Sequence, residues 1–333
     1  MTRTSQEIRL AARPHGRPDE STWELATSEV PEPGPGEFLV EMQQISLDPA
    51  MRGWLNDVRS YLPPVKIGAV MRAFGAGTVI ASQHDDFAVG DVVSGTFGVR
   101  EYAISSGKGV AHLDLDLAPM STWLGALGMP GMTAWFGLED VARAKPGDTV
   151  LVSAAAGAVG STVAQLAKAK GCRVIGIAGG PDKVDWLREL GLDEVIDRRE
   201  GNLLKQVRAA APDGVDVYFD NVGGESLDAA LANLAHGARI AICGAISTYN
   251  DETLAEGPRR YMALLVFRAS MQGFVVMDYE DRYGEAISGI GDLIRDGRFV
   301  ATETVLDGGV AAFPEALLGL FDGVNTGKLL LQL

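Results

Sequence analysis

The chain has 333 residues, 47% hydrophobic and 22% charged, a balance that excludes a disordered polypeptide and suits two domains of about 150 residues each. Twenty-nine basic against 44 acidic side chains give a net charge of −15; such a surface repels phosphate backbones and anionic lipid, so neither nucleic acid nor a membrane is expected as a partner. Two cysteines cannot build a disulfide framework or a zinc site of three or four thiolates, and His15, His84, His112 and His236 fall in no metal-ligand spacing, so no metal is expected.

The first twenty residues are polar and lack the apolar core of a signal peptide, which predicts a cytoplasmic protein. From about Thr22 to Tyr102 short runs such as FLVEMQQISL, AFGAGTVIAS and GDVVSGTFG are broken by Pro and Gly turns, the pattern of an antiparallel β domain. The texture changes near Met120. Apolar strand-length runs now alternate with helical stretches: DTVLVSA with AVGSTVAQLAKAKG, RVIGIAGG with DKVDWLRELG, DEVIDRR with NLLKQVRAA, GVDVYFDNV with ESLDAALANL, then GARIAICG. Near-continuous apolar strands with intervening helices predict a parallel sheet covered on both faces. SMQGFVVMDY reads as a further strand and EAISGIGDLIRDG as an amphipathic helix. The tail returns to strand-and-turn texture and is expected to pack back on the N-terminal part. The predicted organisation is an α/β unit, residues 125–298, inserted in a β unit, residues 1–124 and 299–333.

Directly after the strand TVLVS comes Ala154-Ala155-Ala156-Gly157-Ala158-Val159-Gly160-Ser161. Glycines between a strand and a helix let the backbone turn and approach a pyrophosphate at the positive helix N-terminus. A small-residue run of this kind is weak alone, and tight strand–helix packing also produces it. Further βα units downstream favour dinucleotide binding. An NAD site places an acid about 20 residues on, for the ribose 2′-hydroxyl; here stand Ala178-Gly179-Gly180, with no acid until Asp182 and with Lys183, Arg198 and Arg199 nearby. Cations without an acid predict NADPH over NADH, although solvated surface charges would look the same. Cys172 and Cys243 read as small buried residues. No G-x-S-x-G elbow signals serine hydrolysis.

Four ordered segments carry a resemblance: Leu127-Gly128-Met129-Pro130-Gly131-Met132-Thr133-Ala134, AAAGAVGS, Asp216-Val217-Tyr218-Phe219-Asp220-Asn221-Val222-Gly223-Gly224, and Cys243-Gly244-Ala245-Ile246-Ser247-Thr248-Tyr249-Asn250. Together they resemble the zinc-independent medium-chain dehydrogenase/reductases, in the branch of prostaglandin reductases, leukotriene 12-hydroxydehydrogenases, alkenal double-bond reductases and curcumin reductases. The resemblance runs from SLDPAMRG to Asn325-Thr326-Gly327-Lys328. It implies a Rossmann domain inserted in a GroES-like β domain, a homodimer, and NADPH-dependent reduction of the C=C bond of α,β-unsaturated ketones and aldehydes.

By the same resemblance, Gly157, Ala158, Val159 and Gly160 lie under the pyrophosphate, and Lys183 and Arg198 flank the 2′-phosphate. Asn221 matches a cofactor-contacting asparagine. Cys243, Gly244, Ala245, Ile246, Ser247, Thr248 and Tyr249 form the loop near the nicotinamide, Phe274, Val275 and Val276 line the same end, and Asn325 reaches the cofactor from the tail. Arg198 stands where mammalian members commonly have tyrosine. Ala50 stands where many relatives have a substrate-side tyrosine, which leaves the substrate range open.

Hydride addition to the β carbon builds charge on the carbonyl oxygen, which calls for a hydrogen-bond donor, and a proton must reach the α carbon. A phenol with an ordinary pKa near 10 is protonated at neutral pH and suits a donor. Tyr249 is the first candidate and Tyr61 the second. Ala50, Tyr61, Met129, Thr133, Tyr249 and Phe274 are expected around the substrate, although a packed core draws on the same residue types. A quinone reductase, a hydroxy-eicosanoid or secondary alcohol dehydrogenase, and a non-catalytic NADPH-binding protein all stay open on this scaffold.

Overall fold

The computed structural model describes residues 3–253 and 255–333, and the chain forms two compact units: Met1–Leu124 with Glu303–Leu333, and Gly125–Thr302. In chain order the β unit begins with β1 (Arg3–Leu10), β2 (Trp23–Val30), β3 (Phe38–Ser46), helix α1 (Ala50–Trp54), β4 (Gly75–Ser82), β5 (Val92–Gly95), β6 (Tyr102–Ser105), β7 (Ala111–His112) and α2 (Met120–Leu124). The α/β unit follows with α3 (Met129–Phe136), β8 (Thr149–Val152), α4 (Ala158–Ala169), β9 (Arg173–Ala178), α5 (Pro181–Glu189), β10 (Glu194–Asp197) and α6 (Leu203–Ala210). It continues with β11 (Val215–Asp220), α7 (Gly224–Leu231), β12 (Leu234–Ile242), α8 (Ala263–Phe267), β13 (Ser270–Gly273) and α9 (Tyr283–Arg295). The chain then returns to the β unit with β14 (Glu303–Leu306), α10 (Phe313–Asp322) and β15 (Lys328–Gln332).

In the β unit the main sheet runs β14-β15-β3-β4-β5-β7, with β6 also on β3. Its pairings are antiparallel except β14 with β15. Strand period two lets β3 serve two cores: Phe38, Val40 and Met42 join Val79, Phe87 and Val93, while Ile45 packs with Leu10, Met51 and Phe313. The tail closes the sheet, with Leu331 of β15 opposite Ile45. Residues 3–10 give no apolar alternation in sequence, yet they form β1, paired along its length with β2. Its inward positions include Ser5 and Glu7. Burial of Glu7 is tolerated because Arg9 Nη2 (2.6 Å) and Ser28 Oγ (2.9 Å) donate to its carboxylate.

The α/β unit holds a six-stranded, wholly parallel sheet in the order β10-β9-β8-β11-β12-β13. Counted from β8, this is the 3-2-1-4-5-6 order of a dinucleotide-binding fold, whose switch point lies between β8 and β11. Val150, Leu151, Val152, Val174, Ile175, Val217, Tyr218 and Phe219 are fully buried, as strands covered on both faces require. The expected fold class is found. One element is shorter than its sequence suggests: SMQGFVVMDY is a strand only to Gly273. That residue pairs with Ile242, the end of β12, so no ladder remains beyond it and Val276–Arg282 turn into a 3-10 helix.

Candidate active site

The glycine loop connects β8 to α4. Ala154 takes φ 47°, a left-handed conformation rare for alanine, and its carbonyl accepts the Gly157 N–H at 2.9 Å. Gly157 is the N-cap of α4, with no side-chain cap and no acid in the first turn. The opening N–H groups of this twelve-residue helix thus face a place suited to an anion. A Cβ on Gly160 would drive into the Ala154 carbonyl, whereas one on Gly157 would meet that oxygen only at 3.3 Å. Gly160 is demanded by the chain's own packing. Gly157 leaves backbone open where a pyrophosphate would approach.

After β9 the chain turns at Gly179 and Gly180, the latter at φ 99°. The guanidinium groups of Arg198 and Arg199 lie over this turn: a Cβ on Gly179 would sit 3.1 Å from Arg198 Nε, and one on Gly180 3.0 Å from Arg199 Nη1. Lys183, in the first turn of α5, is half-buried, and burial together with Arg199 and Arg198 lowers its pKa. The nearby acid Asp197 is engaged with main chain, accepting from Arg199 N (2.9 Å) and Gly180 N (3.0 Å), which holds its own pKa low. Three cations meeting at one turn fit a 2′-phosphate. Arg199 belongs to this group on geometry; its sequence signal was only its place beside Arg198.

At the switch point, Asn221 Nδ2 donates to the Ser153 carbonyl at 2.7 Å and its N–H to Ser153 Oγ at 2.9 Å. Asp220, 1% exposed, accepts at Oδ1 from Tyr218 Oη (2.8 Å), Gly223 N (2.9 Å), Val222 N (3.0 Å) and Ser153 Oγ (3.1 Å). Its main-chain oxygen accepts from Cys243 N (2.8 Å) and Gly244 N (3.1 Å). Ala245, Ile246, Ser247 and Thr248 continue this turn into a short 3-10 helix, with Ser247 Oγ donating to the Val222 carbonyl at 2.6 Å. Tyr249 folds back so that its oxygen accepts the Ala245 N–H at 3.3 Å. Cys243, expected to be buried like Cys172, is partly exposed; desolvation of its thiol and the neighbouring Asp220 push its pKa up to about 12. Ser153, Tyr218 and Asp220 were invisible as site residues in sequence, because a buried acid's partners come from three segments.

Several residues expected around the cofactor and substrate have packing roles in the fold. Phe274 meets Phe219 edge to face, with ring centroids 6.2 Å apart, and its ring would be struck by a Cβ on Gly137. Val276 packs on the cluster of Met132, Phe136 and Ala286, and its carbonyl accepts the Tyr283 hydroxyl at 3.2 Å. Val275 caps the following 3-10 helix. Met129 opens α3, and Thr133 Oγ donates to its carbonyl at 2.7 Å, one turn back. The structure thus gathers residues 157–160 and 221, the 243–249 turn, and the cations in one unit. Ala50, Tyr61 and Asn325 belong to the β unit. Ala50 begins α1 against the core there, Tyr61 is 54% exposed, and buried Asn325 donates from Nδ2 to the Gly327 carbonyl at 2.7 Å.

Residues 6–113 match the family described as the N-terminal domain of oxidoreductase, and residues 158–290 the family described as zinc-binding dehydrogenase. Among the described residues no group of three or more His, Cys, Asp or Glu could hold a metal ion. The chain is 44% identical to a putative NADP-dependent oxidoreductase of Bacillus subtilis, covering 100% of this chain and 98% of that one. It is 40% identical to the NADPH-dependent curcumin reductase of Escherichia coli, covering 97% and 95%. The structure of CurA in complex with NADPH from Vibrio vulnificus superposes with a TM-score of 0.93 at 42% identity, over 98% of both chains.

Proposed function

The chain belongs to the zinc-independent branch of the medium-chain dehydrogenase/reductases that includes curcumin, 2-alkenal and prostaglandin reductases, and on that premise we propose that it reduces the carbon–carbon double bond of α,β-unsaturated ketones and aldehydes. NADPH, when bound, supplies the hydride for the β carbon. The observation that carries the reading is the whole-length likeness to reductases named for NADPH, alkenals and curcumin. The cation cluster at Gly179–Gly180 agrees with it.

The residue assignments are part of the proposal. The N-terminus of α4, from Gly157 to Gly160, holds the pyrophosphate by its N–H groups. Lys183, Arg198 and Arg199 hold the 2′-phosphate by charge-assisted hydrogen bonds. Asn221 and the turn from Cys243 to Tyr249 support the nicotinamide end, with Phe274, Val275 and Val276 beside them. The Tyr249 hydroxyl donates to the carbonyl oxygen of the substrate as charge gathers there. Met129 and Thr133, and from the β unit Ala50, Tyr61 and Asn325, are assigned to substrate or cofactor by resemblance.

A homodimer is proposed as well. β13 ends the parallel sheet, with all four of its residues exposed, and Leu265, Val266 and Met271 expose apolar surface on α8 and β13. A second copy covering this edge would bury it. Sedimentation equilibrium is expected to give twice the chain mass; a monomer at micromolar concentration overturns it. No helix among the described residues is long and apolar enough to cross a membrane. A cytoplasmic enzyme without nucleic-acid partners remains the proposal, checked by cell fractionation and by polyanion binding.

The deciding experiment is product identification after incubation with NADPH and a simple enone such as 3-nonen-2-one. The saturated ketone is expected. An allylic alcohol, or tight NADPH binding without turnover across an enone panel, overturns the reading. Tyr249→Phe is expected to lower kcat and leave NADPH affinity within twofold; equal losses of both would make the phenol structural.

A further inference from the structure

Asp220 is a carboxylate at the buried end of β11, between fully buried Phe219 and the turn at Asn221. Burying a carboxylate is costly unless hydrogen bonds compensate it. Here Oδ1 takes all the compensation, from Tyr218, Ser153 and two main-chain N–H groups. Oδ2 is buried and accepts from no described residue. A simple helix cap needs no such burial, since an exposed Ser or Asp performs it at the N-cap.

The partners of Asp220 show what the arrangement holds. Val222 and Gly223 form the first turn beyond β11, and Gly223 and Gly224 take φ 71° and 52° there. The Val222 carbonyl accepts both the N–H (3.2 Å) and the hydroxyl of Ser247 (2.6 Å), while the Asn221 carbonyl accepts the Ile246 N–H (3.2 Å). The second turn therefore hangs on the first. Ser153 adds the third connection: its hydroxyl donates to Asp220, accepts the Asn221 N–H, and its carbonyl takes the Asn221 amide. The turn at Gly179–Gly180 is held separately, by Asp197.

We propose that Asp220 and Ser153 are positioning residues for the nicotinamide half of the bound dinucleotide, acting through Asn221 and the turns at residues 222–224 and 243–247. The proposal rests on the NADPH reading above. It separates the two halves of the cofactor. The adenosine-phosphate half, assigned to Gly157–Gly160 and the cations, keeps its supports when the Asp220 carboxylate is removed, because Ser153 N and Ala155 N remain bonded to the Phe219 and Ile177 carbonyls.

The test is calorimetric titration of wild type, Ser153→Ala, Asp220→Ala and Asp220→Asn with NADP+ and with adenosine 2′,5′-bisphosphate, without substrate. Ser153→Ala and Asp220→Ala are expected to weaken NADP+ at least tenfold, about 1.4 kcal/mol, and to leave the bisphosphate within twofold. Asp220→Asn keeps an acceptor for the two N–H groups and is expected to return NADP+ to within about threefold of wild type. If Asp220→Ala does not fold, Ser153→Ala, which removes one oxygen, decides the matter with Asp220→Asn. Parallel loss of both ligands, unchanged NADP+ affinity in Ser153→Ala, or an Asn variant as weak as Ser153→Ala overturns the proposal. A wild-type protein that binds neither ligand overturns the NADPH reading instead.

Discussion

The ammonium of Lys328, 3% exposed, lies 3.0 Å from the Asp48 carboxylate and donates also to the Leu47 carbonyl at 2.6 Å. Burial lowers the pKa of this lysine, and Asp48 opposes the shift. The pair joins β15 to the segment that leads into α1. Removing the partner of a buried charge costs more than removing the charge itself. Asp48→Asn is therefore expected to destabilise by roughly 3 kcal/mol and Lys328→Met by clearly less, measured by urea unfolding. The reverse order would show that Asp48, which is partly exposed, matters little.

Lys183, Arg198 and Arg199 share one turn, so each should contribute to discrimination between NADPH and NADH. Each single change to Ala is expected to lower that preference about tenfold, the scale of one charged hydrogen bond, with NADH affinity unchanged. Combining all three should lower it further, although not additively, because their charges act on one another. An unchanged preference would return these residues to ordinary surface charges.

Gly157 and Gly160 should respond differently to a methyl group. Gly160→Ala presses on the Ala154 carbonyl and is expected to cost about 1–3 kcal/mol in stability. Gly157→Ala brings its methyl to 3.3 Å from that carbonyl, a tight contact that a shift of a few tenths of an ångström relieves, and should weaken NADPH while lowering Tm less than Gly160→Ala. Thermal melts with and without cofactor check both.

Both cysteines should react slowly, Cys172 because it is buried and Cys243, which is partly exposed, because its thiol ionises only at high pH. Burial, with Asp220 for one and Asp148 for the other, pushes Cys243 up to about 12 and Cys172 up to about 11. At pH 8 their thiolate fractions are on the order of 10⁻⁴ and 10⁻³, against roughly a quarter for a free thiol. A disulfide reagent is expected to react slowly with the native protein and to titrate two thiols after unfolding. Rapid native labelling would show that the partly exposed Cys243 thiol ionises more readily than this.

Asp197 supplies a pH dependence. Hydrogen bonds from Arg199 N and Gly180 N hold its folded pKa below the ordinary value. Its contribution is thus full above the unfolded carboxylate pKa of about 3.9 and is lost as pH falls through the lower folded value. The urea midpoint should fall more steeply between pH 5 and 2 in wild type than in Asp197→Asn. Parallel slopes would remove Asp197 from the acid response.

The α/β unit was legible because apolar strands and helical stretches alternate without interruption from Thr149 to Ile242, and because Gly157 and Gly160 follow a strand. β1 was not, since Ser5 and Glu7 occupy inward positions that pattern reading reserves for apolar residues. The run through Phe274 reads as strand by composition, but β12 stops at Ile242 and leaves it nothing to pair with. Asp220 escaped for a third reason. Its role depends on Ser153, 67 positions earlier, and no local pattern records that meeting.

Leu329, Leu330 and Leu331 are at most 1% exposed, and β15 lies between β14 and β3. On the ribosome the β unit therefore cannot complete its sheet until residues 328–332 have emerged, whereas the six strands of the α/β unit are all present once Gly273 is made. Through that interval the nascent chain carries Ile45 and an unpaired stretch of β3, the kind of surface that chaperones guard during synthesis. Translation speed across the α/β unit thus sets how long the earlier part of the chain waits for its last strand.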